Sequence, residues 1–418
     1  MTRTPGRRVA IAATGAVVAA GTLALAALAF GASDVPAAGS PTVSIASVLQ
    51  SNDIVTGVRT VSGSDVVLTG TVKGSEPFLY EGTIAGAMGG TVTVLSPQFS
   101  GVTKATLYGP NTHLFNPRAI PSGDVRAVGS YVQAKTSSVD NLGMIYEGPV
   151  SGIGGTWTSL RVPADGRHVV GGTRLCRVLA RRCSVLNTIA HSTMGDLVVG
   201  NYDLSTRPTR GNGFIYNLTT GRWTMMDLNN TMAHNTSLYG IWQDGRQDSP
   251  AYTLAGGAFN PATHEQEGLL INYNERTGKF SRPWYFRYAN RRAALTHFEG
   301  ITGTSGGFNL ASDSIARSAA DSLVEPNLVE PKAQLRLAMV HVPMGSHGLF
   351  GAARWTPINI TTSAVCAAGC SAASANTVVD TTVLGVYVPT AAAPTIDSYA
   401  AIVSAGKARP HAGARPTE

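Results

Sequence analysis

The sequence predicts an all-β fold, a β-propeller of about six four-stranded blades, with five or seven also compatible. Three observations carry that expectation. The phrase GNGFIYNLTTGRWTMMDL at 211–228 returns reworded as EGLLINYNERTGKFSRPWYF at 267–286 and LGMIYEGPVSGIGGTWTSLRVP at 142–163. Its skeleton is a Gly, an apolar run with an aromatic, a turn containing Gly, and a second run carrying Trp. The composition suits short strands joined by turns: 47 Gly among 418 residues, 43% hydrophobic and only 14% charged, against roughly 25% charged in average proteins. Finally, stretches that open such units start near residues 54, 106, 188, 237, 297 and 363. Uneven spacing is what sheets of constant size with variable surface loops produce.

In chain order, residues 1–39 read as a signal peptide or an N-terminal anchor. Arg3, Arg7 and Arg8 precede a run of 22 uncharged residues at 9–30, followed by small residues suited to cleavage. The run is also long enough to span a bilayer, so an uncleaved anchor is the rival. No later segment is apolar enough to cross a membrane. The propeller domain is expected over 40–404, and a disordered basic tail rich in Ala and Pro over 405–418.

Each unit parses as four strands separated by turn residues. The first holds 53–59, 65–72, 76–82 and 91–97; the second 105–111, 125–132, 142–148 and 156–163. The third holds 188–192, 196–202, 213–217 and 222–228; the fourth 236–242, 251–259, 268–274 and 279–286. The fifth holds 296–302, 306–314, 335–343 and 353–360, and a compressed last unit 363–369, 376–382, 384–389 and 398–403. The segment 41–49 (PTVSIASVL) is placed to pair with the last unit and close the ring. Faces of such sheets are buried only by neighbouring copies, which is why radial stacking is expected.

Several residues tie these units to a known pattern: Thr188, Val199-Gly200, Tyr202, Gly213-Phe214-Ile215-Tyr216, Trp223-Thr224, Leu238-Tyr239-Gly240-Ile241 and Ala255-Gly256-Gly257. With them the chain resembles secreted bacterial propeller-like proteins carrying the HAF-type repeat. That resemblance spans most of 50–390 and is sharpest in three units. It implies an extracellular propeller and transfers no catalytic residue.

The formal charge of +7 belongs mostly to the two ends of the chain, and the folded part retains about +2. That is no electrostatic footprint for nucleic acid. Four cysteines in an exported chain are read as disulfides, and spacing favours Cys176–Cys183 and Cys366–Cys370, each pinning a loop. Their spacing does not suit a metal, and no metal or cofactor is expected.

Ligands of propellers gather where the first strands meet the channel. Aligned, the first strands read Val55-Thr56-Gly57, Leu107-Tyr108-Gly109, Ile189-Ala190-His191, Leu238-Tyr239-Gly240, Phe298-Glu299-Gly300 and Ala364-Val365-Cys366. The first column is apolar and the last mostly Gly, on one face by the two-residue period. The Gly would let the next blade approach closely. The middle column, Thr56, Tyr108, Ala190, Tyr239, Glu299 and Val365, varies on a fixed frame. Glu299 is its candidate general acid or base, or else a carboxylate satisfied by backbone or His297. Tyr108, His191, Tyr239, Trp242 and His297 are candidate ligand-binding residues, against the alternative that they are structural. Asp244, Asp248 or Glu265 could supply a second acid for glycoside cleavage, which needs two carboxylates about 5–10 Å apart. Asp313, Asp321, Glu325 and Glu330 in 312–332 show no fixed Ca²⁺-ligand spacing. GTSGG at 303–307 matches a nucleophile elbow by letters but falls between two strands, so Ser305 reads as a turn residue. Trp157, Trp223, Trp284 and Trp355 fall in fourth strands and read as architecture. Arg174, Arg177, Arg181 and Arg182 read as a solvated loop.

Function is therefore expected to be a non-catalytic binding module for a glycan or cell-surface protein, secreted or held at the outer face of the cytoplasmic membrane, and monomeric. A carbohydrate-active hydrolase or lyase using Glu299 is the alternative.

Overall fold

A computed structural model describes residues 41–84, 89–134, 141–163, 169–170, 184–205, 207–226, 228, 236–245, 247–288, 293–316, 334–345, 348–390 and 395–404. The N-terminal segment, the tail, Cys176, Cys183, the Arg174–Arg182 cluster, Asp321, Glu325 and Glu330 lie outside them. Among the described residues no helix is long and apolar enough to cross a membrane.

The chain is all-β and folds as successive antiparallel meanders. The first is β2 (Asp53–Ser62), β3 (Asp65–Val72), β4 (Glu76–Thr83) and β5 (Thr91–Val94). The second is β6 (Val102–Thr112), β7 (Asp124–Gln133), β8 (Asn141–Pro149) and β9 (Thr156–Leu160). The third is β11 (Val185–Met194), β12 (Leu197–Leu204), β13 (Arg207–Asn217) and β14 (Trp223–Met226), with the two-residue β10 (Val169–Val170) parallel to β14. Next come β15 (Thr236–Gln243), β16 (Ala251–Asn260) and β17 (Glu265–Asn274), then an outer strand broken into β18 (Lys279–Phe280) and β19 (Trp284–Phe286). The break falls at Ser281-Arg282-Pro283, where proline has no N–H for the ladder. Then follow β20 (Ala293–Thr304), β21 (Gly307–Ala316), β22 (Gln334–Pro343) and β23 (Arg354–Ile358). Last are β24 (Cys370–Val379), β25 (Thr382–Pro389) and β26 (Asp397–Ser404). β1 (Thr42–Val48) completes this sheet by pairing antiparallel with β26, Thr42 opposite Ser404 and Val48 opposite Ser398. The expected partnership of 41–49 with the last unit is thus present.

The last unit corrects the sequence reading. Residues 360–362 and 364–366 form two short 3-10 turns, so 363–369 is no strand. The Cys366–Cys370 disulfide closes this turn, and the inner strand starts after it. Residues 376–382 straddle a hairpin, with Asp380 at φ 48°.

Alternation explains how the meanders hold together. In each second strand, neighbouring apolar residues enter different cores, because successive side chains point to opposite faces. Val67 joins Leu79, Leu107 and Met144, whereas Leu68 joins Val55, Phe78, Leu384 and Ala400. Ala127 and Val128 divide likewise, Val128 meeting Ala190, Val198 and Phe214. Val199 faces Leu238, Leu254 and Leu269, and Ala255 faces Phe298, Leu310 and Val340. Ala311 meets Ala375, Val383 and Tyr399. Every core is therefore shared by two meanders, and one of them joins the last meander to the first. The fourth-strand tryptophans serve these cores: Trp157 lies 5.0 Å from Tyr146, Trp223 5.1 Å from Phe214 and Trp355 5.3 Å from Tyr288. Ser305 sits in the turn between β20 and β21.

Candidate functional site

The inner strands share one irregularity. Each slips register by one residue against its hairpin partner: between Val55 and Gly57, Leu107 and Gly109, Ala190 and Ser192, Leu238 and Gly240, Phe298 and Gly300, and Ala375 and Thr377. The extra residues are Thr56, Tyr108, His191, Tyr239, Glu299 and Asn376. A bulge of this kind re-aims the added side chain and bends the strand. The column aligned from sequence is thereby corrected at two rows. His191, not Ala190, is the bulged residue of β11, since Ala190 is fully buried in a core. In the last unit the position belongs to Asn376 rather than Val365.

These residues link one inner strand to the next. Thr56 Oγ1 donates to the Leu107 carbonyl. The Tyr108 ring lies 5.0 Å from His191, which meets Tyr239 edge-on at 4.7 Å. Tyr239 lies 5.9 Å from His297, whose Nδ1 is 3.7 Å from Glu299 Oε1. Asp313 Oδ1 accepts from the Ala375 N–H at 2.8 Å, and Asn376 Nδ2 donates to the Val55 carbonyl at 2.7 Å. Glycine follows four of the bulges, and the expected close approach is real: a Cβ on Gly109 would lie 2.5 Å from the His191 carbonyl oxygen, and one on Gly300 2.8 Å from Thr377 Cα.

The cluster is a mostly neutral set of donors and acceptors. Burial holds the His191 imidazole down to about 3, so the ring is uncharged at neutral pH. Burial, and then the Glu299 carboxylate, push the Tyr239 phenol up, so it keeps its proton. The same two causes hold the Asp313 carboxyl well above its ordinary range. Asp313 is therefore the acid electrostatically tied to Glu299. It lies within β21, register-paired with His297, and not in a loop.

The other sequence candidates lie apart from this cluster. Asp248 pairs with Arg118 at 3.0 Å on the surface. Glu265 opens β17, opposite Asn260. Asp244 accepts from Thr253 Oγ1 at 2.9 Å, and Trp242 lies 5.4 Å from Phe115.

Asp244 and His191 give stability opposite pH dependences. Burial raises Asp244 to about 7, partly opposed by its Thr253 hydrogen bond. The folded state then holds this proton more tightly than the unfolded chain, so the contribution is lost as pH rises from about 4 through about 7. Neutral His191 works the other way: its contribution is complete above about pH 6.5 and is lost as pH falls toward 3. Asp244→Asn should therefore gain on the order of 2 kcal/mol relative to the original protein between pH 5 and pH 8. Urea midpoints at both pH values check this, and parallel pH profiles would refute it.

The chain matches no protein-family model and no curated protein. Among solved structures it is similar to a catalytically inactive virginiamycin B lyase from Staphylococcus aureus with quinupristin, at 10% identity over 86% of this chain and 99% of that one, with a TM-score of 0.36. It is similar to the Dos1 propeller at 10% identity, covering 85% and 93%, TM-score 0.36. A third is a GH62 hydrolase in complex with xylotriose, 10% identical, covering 74% and 96%, TM-score 0.32.

Proposed function

We propose that the chain is a secreted six-bladed propeller, closed by β1 on the last blade, that binds a glycan non-catalytically at the channel mouth. One observation carries this reading: the repeated bulge, which sets Thr56, Tyr108, His191, Tyr239, Glu299 and Asn376 side by side on the inner strands. Phenols, a neutral imidazole, a hydroxyl and an amide suit sugar hydroxyls, and aromatic faces suit sugar rings. Export fits the Cys366–Cys370 disulfide, since such bonds persist in oxidising compartments. The HAF-type repeat resemblance is in keeping with it. The chain acts as a monomer.

The alternative is a hydrolase or lyase using Glu299 with a second carboxylate. Its support is the electrostatic tie between Glu299 and Asp313. Asp313 sits on the adjoining strand, with one oxygen committed to the Ala375 N–H. That is a poor placement for an acid acting across a bound sugar, so binding is preferred.

The test is a panel of cell-wall and storage oligosaccharides, read by calorimetry and by released reducing sugar, on the original protein, Tyr239→Ala and Glu299→Gln. Saturable binding without release is expected, weakened at least tenfold by Tyr239→Ala. Release by the original protein that disappears in Glu299→Gln would establish the enzyme instead.

A further inference from the structure

Three residues beyond the bulges, the inner strands carry Arg59 in β2, Asn111 in β6 and Trp242 in β15. Arg59 is 6% exposed and Asn111 is fully buried. The Arg59 guanidinium lies 5.3 Å from the Trp242 ring and 5.7 Å from Phe115, which follows β6. The meander of β2 shares cores with those of β6 and β24, and that of β15 with those of β11 and β20. Contact between Arg59 and Trp242 therefore crosses the space between the inner strands. Arg59 Nε donates to the Pro110 carbonyl at 3.2 Å, the one hydrogen bond of this side chain among the described residues. Nor does any carboxylate pair with it there. The neighbouring Asn111 Nδ2 is buried without a partner.

Other arginines of the fold show what is missing. Arg126, 7% exposed at its side chain, meets Glu147 Oε1 at 2.7 Å, and Arg287 meets the buried Glu267. A buried cation ordinarily has such a counter-charge, because removing it from water is expensive. At Arg59 only desolvation acts, holding the guanidinium down to about 10. Its contacts with the two rings offset part of that penalty, but they leave N–H donors unused.

We propose that Arg59 and Asn111 form an oxyanion site at this end of the channel, taking a sulfate, phosphate or carboxylate group, free or carried on a glycan. A guanidinium presents a planar fork that matches such groups, and the free polar atoms of both residues are donors. Phe115 and Trp242 flank the bound group. The site rests on the channel reading above and adds a charge requirement to one end of it.

Sulfate is the first probe, titrated against the original protein and Arg59→Met by thermal shift, with sodium chloride at matched ionic strength. A saturable rise in Tm with sulfate, absent with chloride and absent in Arg59→Met, is expected. Equal responses in the two proteins, or none in the original, would overturn the site and leave Arg59 a plug between two rings. Should Arg59→Met not fold, anomalous diffraction from selenate-soaked crystals of the original protein decides: a peak within hydrogen-bond distance of Arg59 supports the site, and its absence overturns it. A second arm compares oligogalacturonides with neutral oligosaccharides of equal length. At least tenfold tighter binding of the acidic series, lost in Arg59→Met, assigns the anion to a glycan. A sulfate response with no oligosaccharide binding keeps this site as one for a free anion and defeats the glycan reading of the bulged residues. Neutral oligosaccharide binding without any anion response does the reverse.

Discussion

Gly57→Val is expected to destabilise the protein by roughly 3 kcal/mol or more, beyond the usual range for overpacking. A Cβ at this position would lie 1.5 Å from the Tyr108 carbonyl oxygen, 2.4 Å from Thr69 Oγ1 and 2.6 Å from the Tyr108 carbonyl carbon. Two of those atoms are backbone of the adjoining inner strand, so no side-chain rotation relieves the clash. That strand is itself held: Thr69 Oγ1 donates to the Tyr108 carbonyl at 2.7 Å, and Thr56 donates to Leu107. Relief requires the two bulges to separate, which pulls Tyr108 away from His191. Gly211→Ala is the control, since nothing lies within 4 Å of its Cβ position and its φ is not positive. Unfolding free energies from denaturant titration should fall sharply for the first variant and stay within about 0.5 kcal/mol of the original for the second. Equal stability of Gly57→Val and the original protein would contradict the packing of inner strands described above.

The Gly57 close approach was legible because a glycine inside a strand of bulky residues signals that another backbone lies against it. Strand existence was legible too, through alternation and turn residues. What periodicity hides is a bulge. It inserts one residue without altering the apolar pattern on either side, and Ile189-Ala190 offered two equally apolar anchors for the third row. Sequence alone therefore sets His191 in the glycine column, where the register puts Ser192. The last unit misled through its composition. Its inner strand, CSAASANTVV, is small and polar over most of its length, while the preceding turn is richer in apolar letters. Asp313 could not be assigned to Glu299 from spacing, because the partnership depends on which residues β20 and β21 place opposite each other. Arg59 was invisible as a site residue for the same reason: its isolation from carboxylates is a property of space, not of neighbouring letters.

Phe298→Ala tests whether the site and the core are one structure. Phe298 is fully buried, 5.7 Å from Phe286 and 6.1 Å from Trp355, and its ring lies over Gly268, where a Cβ would come within 2.9 Å. Deleting it removes the transfer energy of the ring and leaves a cavity among aromatic and aliphatic neighbours. The expected loss is about 3–5 kcal/mol. The residue directly precedes the bulged Glu299, and its insertion between two meanders fixes the direction in which that bulge points. Phe298→Ala should therefore weaken the proposed glycan binding at temperatures where the protein is still folded, although the ring itself is buried in the core. Phe298→Leu, which restores most of the volume, should recover much of the stability and the binding together. Glu299→Gln, by contrast, leaves the core intact and should leave the unfolding free energy within about 1 kcal/mol of the original. If Phe298→Ala bound ligand unchanged while losing the full stability, the bulge would be held by the strand register alone. The phenylalanine would then serve only the core.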